Sequence, residues 1–229
     1  MNTLLLLALC PPLAAFAQPA SQGATPVNAP VVHEKYEWSN IWGDCADDPA
    51  LPRVLLIGDS ISCGYSGVVN RILEGKYHVD RLGTSRSIND PVLLKETAMM
   101  LEDCKYAVVH INNGLHGFHL TGEQYAAALK DYLALIKAHC GDAKLVWCAS
   151  TPITKNGDPA TLDASNEKVT TRNALALEIA QAQGIPVDDL YQVVIGKADL
   201  RSGDGYHYND QGYEALGKAV ADAVLKAAQ

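Results

Sequence analysis

The chain is short of positive charge: 18 Lys and Arg face 26 Asp and Glu in 229 residues, a formal net charge of −8. The basic residues form no cluster, so attraction to a phosphate backbone or an anionic lipid surface has no source. Nucleic acid and membrane-surface partners are therefore not expected. Cysteine is also sparse, and none of the six forms a CxxC pair, which removes the usual ligand pattern of a structural zinc site. No apolar run reaches the roughly 20 residues of a spanning helix, so stable membrane insertion is not expected. There is no internal repeat.

The longest leucine run, Leu4 to Leu7 in MNTLLLLALCPPLAAFAQPA, is followed by prolines and then by Ala15-Phe16-Ala17. Residues 1–17 therefore read as a secretory signal peptide cleaved after Ala17, although its first residues lack a Lys or Arg. The expected location is secreted or periplasmic. In such an oxidising compartment the remaining cysteines, Cys45, Cys63, Cys104, Cys140 and Cys148, allow one or two disulfides and leave an odd thiol. Cys104 and Cys140, each at the end of a helix-like segment beside a strand, are the favoured pair. Residues 18–32 are rich in Pro, Ala, Gly and Ser and are expected to form a flexible leader. Residues 33–52 carry Trp38 and Trp42 and are expected to dock as an irregular arm on one domain spanning 33–229.

Past Pro52, short apolar runs alternate with longer amphipathic ones. Strands are expected at 54–58, 77–82, 106–112, 144–150 and 185–190. Helices are expected at 61–74, 91–102, 121–139, 162–183 and 209–228. Thr121 with Gln124 forms a capping box at the start of the third helix, and Gly184 stops the fourth. Strands that are apolar throughout and separated by helices predict a parallel sheet covered on both faces, a three-layer α/β/α sandwich. In such sheets ligands bind outside the carboxyl ends of the strands.

The first strand, VLLIG, ends there in Gly58-Asp59-Ser60. A serine at a helix N-terminus on the sheet rim suits a nucleophile, because the helix end stabilises an oxyanion. The same Asp-Ser pair also makes an ordinary helix cap. A serine hydroxyl needs a base to take its proton. Near the other end, SGDGYHYNDQGYEALG places Asp204 three residues before His207, a spacing that lets the carboxylate hold one ring nitrogen while the other reaches Ser60. With no such role the segment is a polar loop in which Asn209 caps the last helix. Donors for a tetrahedral intermediate are available in Gly83-Thr84-Ser85-Arg86 and in Asn112-Asn113-Gly114, although Gly and Asn are also default turn residues.

The blocks GDSIS, LGTSRS, INNGLHG and DGYHYND, in this order, resemble the four signature blocks of the SGNH (GDSL-like) hydrolase family from about residue 53 to 225. The resemblance implies a flavodoxin-like fold with a mainly five-stranded parallel sheet and a serine esterase without metal or cofactor. It implies Ser60 as nucleophile, His207 as base and Asp204 as its partner. The oxyanion hole would comprise the N–H groups of Ser60 and Gly83 with an asparagine amide. The third block departs from the family's Gly-x-Asn; Asn112, at the strand end, is favoured for that amide, with Asn113 the alternative.

Among the remaining polar residues, Arg86, Asn89, His116 and His119 are candidates to line a substrate cleft, with solvated loop residues as the plain alternative. His110, His116 and His119 have no Asp or Glu among them, so no metal site is expected there. Cys63 reads as a core thiol, and Asp188 and Asp189 as structural. Export, the lack of an apolar lid and the polar cleft candidates favour an esterase that removes O-acetyl groups from carbohydrate. A lipid-directed esterase, lysophospholipase or thioesterase competes, as does a non-catalytic binding domain on the same scaffold. The expected partner is a small-molecule or polysaccharide ester; the oligomeric state is open.

Overall fold

The computed structural model describes residues 29–229; the expected signal peptide and the leader up to residue 28 lie outside the described residues. The elements run β1 (Ser39–Trp42), β2 (Arg53–Gly58), α1 (Ser60–Leu73), β3 (His78–Thr84), α2 (Pro91–Asp103), β4 (Tyr106–Ile111), α3 (Gly122–His139) and β5 (Lys144–Cys148). They continue with β6 (Thr154–Lys155), β7 (Asp158–Leu162), α4 (Asn166–Ala182), β8 (Val187–Asp188), α5 (Leu190–Val194) and α6 (Asp210–Ala227). The main sheet has the order β1-β3-β2-β4-β5-β8. Five of its strands are parallel, as expected, and β1 adds an antiparallel edge.

Successive strand side chains point to opposite faces, and in β2 both faces are apolar. Leu55 and Ile57 enter one buried cluster with Leu93, Leu129, Leu133 and Ala176 from α2, α3 and α4. Val54 and Leu56 enter the other with Val69, Leu216 and Val220 from α1 and α6. A strand buried on two sides has no polar alternation to show, which is why VLLIG reads as a continuous run. Because β3 and β4 flank β2 on opposite sides, the chain reverses direction of winding at β2, and a crevice opens beyond its carboxyl end.

Several boundaries differ from the sequence expectation. The arm is not wholly irregular: Ser39–Trp42 pairs with β3, Ser39 opposite Thr84. The fourth helix starts at Asn166 rather than 162, because 158–162 form β7 of a hairpin with β6. Its two-residue turn is Asn156-Gly157, with Gly157 at φ +77°, a turn signal that favours hairpins. The fifth expected strand shrinks to Val187–Asp188, and Leu190–Val194 is helical. The capping box at Thr121 and Gln124 is formed. All five described cysteines are free thiols, so the expected Cys104–Cys140 bond is not made. No described helix is long and apolar enough to cross a membrane.

Candidate active site

The strand β2 stops at Gly58 because Asp59 caps the helix that follows. The Asp59 carboxylate accepts from the Ile61 N–H at 2.8 Å, and the Ser62 hydroxyl donates back to the Asp59 carbonyl at 2.7 Å. A Cβ on Gly58 would stand 2.6 Å from the Ser62 hydroxyl oxygen, so only glycine admits so tight a strand-to-helix turn. Ser60 is thereby the first residue of α1, half-buried at the sheet rim. Its N–H belongs to the first helical turn, where no preceding carbonyl is available within the helix.

The other half of the site arrives on the loop before α6. His207 Nε2 lies 2.8 Å from Ser60 Oγ, and Nδ1 lies 2.5 Å from Asp204 Oδ2. Asp204 Oδ1 also accepts from the Tyr206 and His207 N–H groups at 2.9 and 2.8 Å. Burial alone would raise the Asp204 carboxyl, but the His207 N–H, the His207 ring and the Tyr206 N–H outweigh it and hold it well below the usual carboxylate range. Asn209 caps α6 by accepting from the Gly212 N–H at 3.0 Å, so capping and the aspartate–imidazole pair coexist on one loop.

This loop is held from outside by the β6–β7 hairpin. Thr154 N–H donates to the Gly205 carbonyl at 2.9 Å and Gly157 N–H to the Gly203 carbonyl at 2.8 Å. The buried Arg201 donates to the Pro152 carbonyl at 2.7 Å and lies over the Tyr208 ring, 4.5 Å from its centroid. A Cβ on Gly205, at φ +94°, would stand 2.5 Å from the Thr154 carbonyl oxygen. Sequence reasoning missed this support; the Asn156-Gly157 dipeptide was its available signal.

Besides Ser60, the expected oxyanion donors Gly83 and Asn112, and the alternative Asn113, have different surroundings. Gly83 sits inside β3, opposite Gly58 on one side and Asn40 on the other. Ser85 N–H donates to the Trp38 carbonyl at 3.1 Å, and in an antiparallel ladder the next exchanging pair is two residues along, which is Gly83 with Asn40. The Gly83 N–H is thus directed to β1 and away from Ser60, correcting the oxyanion role expected of it. A Cβ there would stand 2.3 Å from Cys63 Sγ, so the glycine serves the packing of α1 on the sheet. Asn112 Nδ2 donates to the Cys148 carbonyl at 2.8 Å and to Ser150 Oγ at 3.1 Å, tying β4 to β5 with both amide hydrogens. Asn113 Nδ2 donates only to the Arg86 carbonyl, at 2.9 Å, among the described residues, and keeps one hydrogen.

The expected cleft residues are engaged elsewhere. Arg86 pairs with Asp90 at 2.9 Å. Asn89 donates to the Ala29 and Pro30 carbonyls at 3.2 and 3.3 Å, and His119 Nε2 lies 3.2 Å from the Pro30 carbonyl. His116 Nδ1 lies 2.8 Å from Glu34 Oε1. Three of the four therefore hold residues 29–34 across the rim, so the last residues of the expected flexible leader are docked together with the start of the arm. His110 is buried and paired with Asp188 at 3.0 Å. Around Tyr206, burial and then the Asp163, Glu34 and Asp204 carboxylates raise the phenol, so three carboxylates stand near the mouth beside His207.

A second buried arginine, Arg172 from α4, was also missed. It donates to the carbonyls of Gly114, His116 and Gly117 at 2.9, 2.7 and 2.6 Å and packs on Phe118 and Tyr125. It fixes the loop that follows Asn113. Nothing in the local sequence separates it from the other basic residues of α4.

A hydroxyl in line with an imidazole and an ionised carboxylate at the switch point of a doubly wound sheet is the chemistry of a serine ester hydrolase. The chain belongs to the GDSL-like lipase/acylhydrolase family, whose model matches residues 56–215. No curated protein matches the chain. Among solved structures, the fold is similar to an aryl esterase of M. smegmatis (18% identity, TM-score 0.65, covering 77% of this chain and 99% of that one). It is similar too to Est24, a carbohydrate acetylesterase from Sinorhizobium meliloti (19%, 0.63, 76% and 99%). A GDSL-like lipase from Bacteroides thetaiotaomicron also shares it (19%, 0.62, 76% and 88%).

Proposed function

We propose that the protein is an exported serine esterase that removes O-acetyl groups from a neutral carbohydrate. The observation that carries the chemistry is the 2.8 Å approach of His207 Nε2 to Ser60 Oγ, with Asp204 on the opposite ring nitrogen. Ser60 attacks the ester carbonyl as His207 takes its proton; the imidazolium is stabilised by Asp204 and then protonates the leaving alcohol oxygen. Water, activated by the same imidazole, releases the acid from the acyl-enzyme. The Ser60 N–H at the start of α1 and the remaining N–H of Asn113 serve the oxyanion.

The carboxylates of Asp163, Glu34 and Asp204 near Tyr206 support a neutral alcohol over an anionic lipid headgroup, since like charges oppose entry. The acetylesterase among the similar folds supports a small acyl group. Export rests on the apolar run and Ala15-Phe16-Ala17. The test is a panel of esters that varies acyl length and alcohol, run beside fluorophosphonate labelling of the native chain and Ser60→Ala. Acetate release from acetylated xylan and Ser60-dependent labelling are expected. A strong preference for long-chain esters would replace the carbohydrate with a lipid, and labelling that survives Ser60→Ala would remove the mechanism.

A further inference from the structure

At the amino end of the sheet, opposite the reaction, the loop between β1 and β2 folds over the first residue of β3. Asp44, Cys45 and His78 bring a carboxylate oxygen, a thiol sulfur and a ring nitrogen within 4.8 Å of one another. Asp44 Oδ2 is 3.9 Å from His78 Nδ1, and Asp48 Oδ2 is 3.3 Å from Nε2. The His78 side chain is 7% exposed, and its buried Nε2 has no hydrogen-bond partner. A buried imidazole between carboxylates with an unpaired, fully buried ring nitrogen calls for an explanation.

The loop is built to present these groups. Arg53 bridges Asp80 and donates to the Asp44 and Cys45 carbonyls, while Asp80 accepts from the Asp44 N–H at 2.9 Å. The His78 N–H donates to the Pro52 carbonyl at 3.0 Å, which sets the ring against the loop. Arg53 is the nearby cation that would oppose a metal ion, but its charge is already matched by Asp80 at 2.6 Å.

We propose that Asp44, Cys45 and His78 bind a divalent cation of the zinc type, with the ion on Nδ1 and the Nε2–H turning to donate to Asp48, 3.3 Å away, once the ion is bound. One oxygen, one sulfur and one nitrogen ligand suit zinc, which binds such sets tetrahedrally at about 2.0–2.3 Å. A carboxylate on the far ring nitrogen is the usual means of orienting a ligating histidine. Binding forms bonds to the Asp44 carboxylate, the Cys45 thiolate and the ring nitrogen, displaces water from the ion and releases the thiol proton to solvent. No electron is transferred. The ion would fasten the arm-to-β2 loop to the sheet, taking the place of a disulfide at an exposed cysteine.

The two other clusters of this kind among the described residues carry less. His110, Cys148 and Asp188 lie inside the fold, with His110 and Asp188 already paired at 3.0 Å. In the cluster of His33, Glu37 and Asp90, Glu37 accepts from Ser85 and Asp90 from Arg86. The absence of a CxxC pair says nothing about the proposed site, because its ligands come from two separate segments.

The full chain, stripped with a chelator, should take up Co²⁺ with the charge-transfer absorption of a cobalt–thiolate bond, and Zn²⁺ should bleach it. Cys45 is exposed, so Cys45→Ser should fold, and it should lose the absorption. Asp48→Asn should weaken zinc binding by about 10–100-fold, as loss of an orienting carboxylate does. No cobalt–thiolate absorption in the native chain, or the same absorption in Cys45→Ser, would overturn the site. Ester hydrolysis is the separate readout: it should persist in the chelated protein, and its loss on chelation would overturn the structural role given to the ion.

Discussion

The Arg172 guanidinium donates to the Gly114 carbonyl at 2.9 Å, so a helix on one face of the sheet sets the loop that follows Asn113. The Gly114 and His116 carbonyls depend on this one side chain, while the Gly117 carbonyl also accepts from the Leu120 N–H at 3.0 Å. Arg172→Ala leaves the buried Gly114 carbonyl and the half-buried His116 carbonyl unpaired, at about 1–3 kcal/mol for an unmet group, with partial relaxation expected. A loss of at least about 2 kcal/mol in urea unfolding should accompany reduced kcat, and Arg172→Lys should restore little of either, because one ammonium cannot span the acceptors that the planar guanidinium reaches.

Ser60→Ala should lower kcat on the order of 10⁶-fold, the scale seen when a serine of a coupled hydrolytic set is removed. Its side chain is half-buried at the rim, so the unfolding midpoint should hardly move. Steady-state kinetics together with thermal unfolding separate the two effects.

The neighbouring asparagines should differ in kind. Asn113→Ala should lower kcat by about 10²–10³-fold, as loss of an oxyanion donor does. Asn112→Ala instead strands the Cys148 carbonyl and should appear chiefly as about 1–3 kcal/mol of lost stability. Equal kcat losses of that size in both variants would contradict the division.

Asp204→Asn should reduce kcat on the order of 10⁴-fold at neutral pH by removing the carboxylate that orients the imidazole. The folded-state Asp204 carboxyl is depressed, so the stability it adds is fully present above the unfolded value, about 3.9, and is lost as pH falls through the folded value. Denaturation midpoints of native and Asp204→Asn chains should therefore keep a constant gap from pH 7 to about 4 and converge below it.

Gly83→Ala should cost about 1–3 kcal/mol through overpacking against Cys63. The double variant with Cys63→Ala should recover most of that cost, since the two residues are in contact and couple. Recovery in an unfolding cycle, with kcat close to native, would mark Gly83 as a packing residue.

Much of the site was legible because its chemistry is written in short local patterns. Gly58-Asp59-Ser60 closes an apolar run, and Asp204 stands one loop turn from His207, so each half announces itself. The oxyanion donors were not legible in the same way. Whether Asn112 or Asn113 keeps a free N–H depends on where β5 ends, and the role of Gly83 depends on β1 pairing with β3. The polar cleft candidates Asn89, His116 and His119 took residues 29–34 as their partners, which no spacing along the chain reveals.

The sequence by itself determined the layers and the order of the parallel strands' helices, since burial on two faces imposes unbroken apolar runs and caps mark where helices begin. Tertiary structure alone decided which polar groups stay available. A donor is free only when every neighbour in space has been satisfied elsewhere, and those neighbours come from distant segments such as the hairpin at 154–162, Arg172 and the arm.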